Sequence, residues 1–185
     1  MRYICDMVRV LVWVGIFVLT GLAGGQLAAQ DYVGSNVCRT CHPDIVSTFF
    51  RNPHFKSVAS GAQPGPNVGC EGCHGPASGH VNAGGGKDTI PRAFSKLSPN
   101  QIVDTCLGCH ASSISRANIR RSEHTLGDVV CTNCHSVHHS PAPKNLLKTE
   151  QQRDLCYGCH TTVRAQFSMP FKHRVNEGSV QCTDC

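Results

Sequence analysis

Aromatic residues are scarce in this 185-residue chain, at 6%, and its single Trp, Trp13, lies in an N-terminal stretch that reads as removable. Charged residues reach only 16%, and Lys and Arg never gather into a long run. The formal net charge of +5 therefore leaves no electrostatic footprint for nucleic acid. Past residue 29 there is one Met, Met169. A core of Leu, Ile, Val and Phe alone would be thin at this length. These shortages exclude a plain hydrophobic-core enzyme. Something else fills the interior or staples the chain, and the 13 Cys, 11 His and 18 Gly residues are the material at hand.

The N-terminus has the layout of an export signal. Arg2 and Arg9 flank a short basic region, an apolar stretch runs from Val10 to about Leu22, and small and polar residues follow to Ala29. Cleavage after Ala29 is expected, which makes 1–29 a Sec-type signal peptide and 30–185 the mature part. There is no Arg-Arg pair for the twin-arginine route and no Cys placed to accept a lipid. The competing reading is an uncleaved anchor, since Val10 to Ala29 is long enough to span a bilayer; the Gly and Gln in its second half weaken it. On either reading the remainder lies outside the cytoplasm.

Cys5 falls in the signal. The other cysteines form Cys-x-x-Cys pairs at Cys38/Cys41, Cys70/Cys73, Cys106/Cys109, Cys131/Cys134, Cys156/Cys159 and Cys182/Cys185. The first five pairs are each followed at once by a histidine: His42, His74, His110, His135 and His160. Disulfides are the usual use of even cysteine counts in an exported protein, but they need no His after the second Cys. Zinc ribbons use paired cysteines, again without a His in every copy. Covalent c-type haem attachment needs this spacing: two thiols take up the two vinyl groups of one porphyrin edge, and the adjacent His ligates the iron. Five complete sites for haem c are expected, with a sixth cut short at Cys185.

Six histidines stand outside the motifs: His54, His80, His124, His138, His139 and His173. With one Met available, at most one iron can be His/Met ligated, and the spare His supply matches bis-His ligation throughout. Distal ligands are expected at His54, His80, His124, His138 and His173. The adjacent pair holds the surplus, and His138 is taken over His139. Saturated irons leave no site for substrate, so electron transfer is the expected role, with no catalytic residues.

The motifs begin 32, 36, 25, 25 and 26 residues apart, a loose repeat with one haem per unit. The expected fold is mainly α with extensive loops, an elongated multihaem cytochrome c with a haem-filled core and little or no β-sheet. Ser98-Pro99-Asn100-Gln101 and Thr149-Glu150-Gln151-Gln152 each have capping-box form and open helices running into a motif. Asp44–Phe50 and Ser113–Arg121 are weaker helix candidates. Phe49, Phe50, Phe55, Phe94, Phe167 and Phe171 are expected to pack against haem faces.

The stretches GSNVCRTCHPDIVSTFFRNPHFKSV, GCEGCHGPASGHVNAGG, RRSEHTLGDVVCTNCHSVHH and FSMPFKHRVNEGSVQCTDC resemble the MtrA/DmsE group of periplasmic decahaem cytochromes c, from about residue 33 to the end. The resemblance includes spare histidines in set contexts, at 54, 80, 124 and 138, and implies that these and His173 are distal ligands. It also implies a periplasmic wire that works with redox proteins, an outer-membrane β-barrel and an extracellular cytochrome or reductase. The family carries about ten haem motifs, whereas this chain has five complete ones and stops at Cys185, where a His should follow. The chain is accordingly expected to be the N-terminal portion of a longer protein. A complete five-haem chain would instead look like a soluble pentahaem shuttle feeding a periplasmic reductase. Two further alternatives are a haem reductase with one open iron and a membrane-anchored quinol-oxidising cytochrome.

Overall fold

A computed structural model describes residues 31–56, 68–112 and 118–184. The expected signal peptide and most of the Ser113–Arg121 helix candidate lie outside these residues. Short helices follow the motifs: α1 (Ser35–Cys38), α2 (Pro43–Phe49), α3 (Gly69–His74), α4 (Ser78–Asn82), α5 (Pro99–His110), α6 (Glu123–Leu126), α7 (Cys131–Cys134), α8 (Gln152–Tyr157) and α9 (Thr161–Gln166). Single 3-10 turns occupy Ile119–Arg121 and Cys182–Asp184. Among the described residues there are no strands, and pairing is limited to isolated bridges from His135 and Ala142 to Leu147. None of the described helices is long and apolar enough to cross a membrane.

The longest helix begins as its sequence dictates. Ser98 accepts from the Gln101 amide, Gln101 reaches back to the Ser98 N–H, and Pro99 supplies a preset φ at the first position. Ile102 and Val103 on α5 pack against Val130, with Phe94, Leu97, Leu107 and Ile119 around them. Among the described residues Val103 is the fully buried side chain of this cluster, at 0% exposure. This small cluster is the apolar core of the described residues, as the composition required.

The second expected capping box is not used. The α8 helix starts at Gln152, with Gln151 as an N-cap that makes no side-chain bond. Thr149 turns its hydroxyl to donate to the Gln151 carbonyl at 2.8 Å, the local side-chain bond that competes with a cap.

Polar groups do much of the remaining joining. Glu71 is 3% exposed, and its carboxylate accepts from the amides of Val33, Gly34 and Ala77 at 2.8–2.9 Å. It ties the start of the described chain and the turn into α4 to helix α3. Ser35 adds a bond from the Cys70 amide to its hydroxyl. Gly69 has φ +66, and a Cβ there would collide with the Ser35 hydroxyl, so only Gly allows α1 this close to α3.

Glu71→Ala strands three amide donors and is expected to cost about 3 kcal/mol. Glu71→Gln keeps the Oε1 acceptor but turns an NH2 on Gly34, and should cost about half as much. Urea midpoints of the haem-loaded protein check this order; equal losses would refute it. Ser98→Ala should lose about 1 kcal/mol, and Thr149→Ala less than about 0.5 kcal/mol, as for a surface substitution.

Candidate functional site

The complete motifs are wound into helical turns. Cys38 ends α1 and His42 caps α2, all of motif two lies in α3, and motif three forms the last turn of α5. The α7 helix carries Cys131 and Cys134, while Cys156 sits in α8 and His160 caps α9. The His amide donates to the carbonyl of the first Cys at 2.9 Å in motifs one, four and five. Residues three and four apart share a helical face, so this turn gathers two thiols and one imidazole on one side.

Four motif imidazoles meet four histidines from elsewhere. His42 faces His80 with ring centres 6.3 Å apart, His74 faces His138 at 5.9 Å, His54 faces His110 at 5.9 Å, and His124 faces His160 at 5.8 Å. A metal ion between two imidazole nitrogens, each about 2 Å away, takes up about this separation. Among the described residues no group of three or more His, Cys, Asp or Glu side chains converges. A structural zinc site needs four protein donors, whereas two suit an iron whose other ligands come from a porphyrin. The donor set fits haem.

Several of these rings are held by the nitrogen that would not ligate. His74 Nδ1 donates to the Arg92 carbonyl at 3.1 Å, and His135 Nδ1 to the Asn145 carbonyl at 2.8 Å. His80 Nδ1 meets the Gly86 carbonyl and the Thr89 hydroxyl, and His54 Nδ1 meets Asn52 Oδ1 at 3.0 Å. A carbonyl can only accept, so Nδ1 carries the proton and Nε2 keeps its lone pair for a metal. Burial pushes His54, His74 and His138 below the usual imidazole pKa, and the neighbouring His110 and His74 add to this at His54 and His138 respectively. A neutral ring is the form that ligates.

Asn52, Thr89, Arg92 and Asn145 were not foreseen from sequence. Asn52 is buried and also donates to the Val137 carbonyl, which links the first motif's segment to the loop that carries His138. The Asn-Pro-His context was the one available hint. Arg92 donates to the Glu71 and Gly72 carbonyls inside motif two, and its Nε is buried without a partner. His139 is exposed and stands edge-on to His138 at 6.2 Å. His173 is exposed and meets no other imidazole among the described residues. Of the phenylalanines, Phe94 stands edge-on to His74 at 5.4 Å, Phe49 and Phe50 pack on Phe55, and Phe171 is 99% exposed.

Consecutive motifs touch through their cysteines. A hydrogen bond with Cys70 is the main cause that raises Cys38, and the same bond brings Cys70 down to about 6. Cys106 is raised by its bond with Cys131, while burial first and then Cys182 push Cys156 up to about 11. Cys73 also senses the charge of Cys109, and Cys134 that of Cys159. First cysteines join motifs one to two, three to four and five to six by hydrogen bonds, and second cysteines of two and three, and of four and five, are near enough to sense one another's charge.

Cys41 departs from this pattern. The expectation from sequence is a haem-attachment thiol paired with Cys38 in the first motif. Cys41 is exposed, as are Cys73, Cys109 and Cys159; it lies outside any helix, in the turn between α1 and α2, and its thiol meets no cysteine of another motif among the described residues. Two physical reasons account for its place in a turn. The α1 helix is one turn long and stops at Cys38, so Cys41 is held only by its amide, which donates to the Cys38 carbonyl at 3.3 Å. Pro43 then bars His42 from continuing a helix, and His42 has φ −122 and ψ 52. The attachment role of Cys41 therefore rests on its place in the motif and not on its surroundings.

Comparison with known proteins agrees with the site. The doubled CXXCH motif family model matches residues 124–165, and the cytochrome c554 and c-prime model matches residues 87–136. The multihaem cytochrome MtrA of Shewanella baltica is 31% identical over 157 residues, which cover 82% of this chain and 45% of that protein. The C-type polyhaem cytochrome OmcC of Geobacter sulfurreducens is 27% identical over 127 residues, covering 63% of this chain and 16% of that protein. The chain thus spans about half the length of MtrA and about a sixth of OmcC. No solved structure matches. With its haem-attachment motifs, its paired imidazoles and these relatives, the chain belongs to the multihaem c-type cytochromes and binds haem c.

Proposed function

We propose that the protein is an exported electron carrier that holds haem c at its five complete motifs. The observation that carries this reading is the set of four imidazole pairs, each made of one motif histidine and one histidine from outside the motifs. His42 is proposed to share its iron with His80, His74 with His138, His110 with His54, and His160 with His124. Cys38 and Cys41 are proposed to hold the first haem. When bound, haem c supplies a one-electron iron couple. The protein's part is to hold both axial nitrogens in either redox state, so that little rearrangement accompanies electron movement. Asn52, Thr89 and the carbonyls of Gly86 and Arg92 fix the ring orientations for this task.

The cysteine contacts favour transfer in sequence order, because each motif adjoins the next. Likeness to MtrA supports a periplasmic place, with signal peptide 1–29 removed, in a conduit that serves an outer-membrane β-barrel and an extracellular redox partner. No motif histidine of a described pair is left for substrate, which favours a carrier over an enzyme.

The test is the spin state of the loaded protein. His138→Ala should convert one low-spin ferric haem to high spin in electron paramagnetic resonance, and His139→Ala should convert none. His54→Ala, His80→Ala and His124→Ala should each convert one. Haem content by pyridine haemochrome should stay at about five per chain in all of them, since the thioether bonds remain. Unchanged spectra in the four ligand variants would overturn the pairing, and a chain without covalent haem would overturn the function.

A further inference from the structure

We propose that Asn52 is a positioning residue for two haems at once. One end of its amide sets His54, the distal ligand of the motif-three iron, and the other end sets His138, the distal ligand of the motif-two iron. The proposal deepens the haem reading above and rests on its ring pairs.

Asn52 is 6% exposed and lies in the turn after α2. Its backbone fixes it there: the N–H donates to the Phe49 carbonyl at 2.9 Å, and the carbonyl accepts from the Phe55 N–H at 3.0 Å. Pro53 follows and offers no N–H, so the side-chain oxygen meets the next one, that of His54, at 2.9 Å. The same oxygen accepts from His54 Nδ1 at 3.0 Å. One atom thus holds both the backbone and the ring of His54, and it makes Nε2 the ligating nitrogen.

The other end of the amide donates to the Val137 carbonyl, across 85 residues of chain. A backbone N–H only donates and a backbone carbonyl only accepts, so the oxygen faces His54 and the NH2 faces Val137. The Val137 carbonyl belongs to the peptide unit that enters His138. The unit that leaves His138 meets the same segment, because the Thr48 hydroxyl lies 2.9 Å from the His138 carbonyl and from that of Ile45. Both peptide units around His138 therefore answer to residues 48–52, while its ring faces His74.

The two ends do different work. The acceptor on a ligating imidazole's N–H raises the electron density that the ring gives its iron, and so lowers the potential. Asn52 Oδ1 is that acceptor for the motif-three haem. At the motif-two haem the NH2 acts through the backbone, on geometry. Asp has nearly the same shape but accepts at both ends, so it keeps the first role and loses the second.

The test uses the haem-loaded chain at equal haem content. The low-spin ferric signals that His54→Ala and His138→Ala abolish in electron paramagnetic resonance identify the motif-three and motif-two haems. Asn52→Ala should shift the g-values of both signals and leave the others unchanged. Thr48→Val should shift the motif-two signal alone. In a redox titration followed by the same signals, the motif-three midpoint should rise in Asn52→Ala and fall in Asn52→Asp, whereas a merely structural role would move both variants the same way. Midpoints that move together, or g-values that change in one haem, in none or in all, would overturn the proposal and leave the pairing standing. If His54→Ala and His138→Ala abolish no signal, the pairing itself fails and takes the proposal with it.

Discussion

Imidazole meeting imidazole is the contact on which the other features of this protein depend. The apolar interior is one small cluster around Val103, and most helices are about one turn long. Isolated helices of that length are not stable in water. What brings the segments together is a set of ring pairs whose members lie 36 to 64 residues apart in the chain. Three of these rings, His54, His74 and His80, are steered by a carbonyl, amide or hydroxyl oxygen at the other nitrogen, so that a bond to the protein sets the direction of a potential bond to metal. Haem c then takes the place that a larger hydrophobic core occupies in an ordinary domain of this size.

The pairs also form a connected scheme. Motif one is joined to the unit of motif two through His80, and motif three to the unit of motif one through His54. Motif two is joined to the unit of motif four through His138, and motif five to the residues before motif four through His124. Each link joins different units: they order four motifs as three, one, two, four, and His124, between motifs three and four, ties motif five to that stretch. Glu71 and Asn52 add polar ties beside these links, from α3 to the start of the described chain and from the first unit to the fourth. A buried carboxylate with three amide donors is stable because every donor it gathers would otherwise be left without an acceptor.

The attachment sites were legible in the sequence because their chemistry is local: two thiols and a histidine within five residues write the site wherever they occur. What surrounds each thiol was not legible, and Cys41 shows why. Its motif reads like the others, but a one-turn helix before it and a proline after it leave it on an open turn. The α5 helix was legible because Ser98, Pro99 and Gln101 fix its start without help from elsewhere. The cap at Thr149 failed because a threonine hydroxyl has two local choices and took the Gln151 carbonyl. The spare histidines could be counted, but their partners could not be assigned, because a pairing across 64 residues leaves no mark on either neighbourhood. Glu71 was passed over for the same reason: nothing between Cys70 and Gly72 signals that three distant amides converge there. Arg92 looks like any loop arginine until its carbonyl is found on His74.

The spacing of the ring pairs has a consequence for how the protein is made. Any chain emerges N-terminus first, and a pair can close only when its later member has appeared. The later members are His80, His110, His138 and His160, so closures follow one another at intervals of 22 to 30 residues. At no stage does an emerging motif wait for the whole molecule. In two of the four pairs, the histidine at 54 or 124 is already present when its motif arrives; in the others, the motif stands open for 38 or 64 residues. The molecule is assembled in the manner of a zip, with one clasp fastened before the next comes into reach.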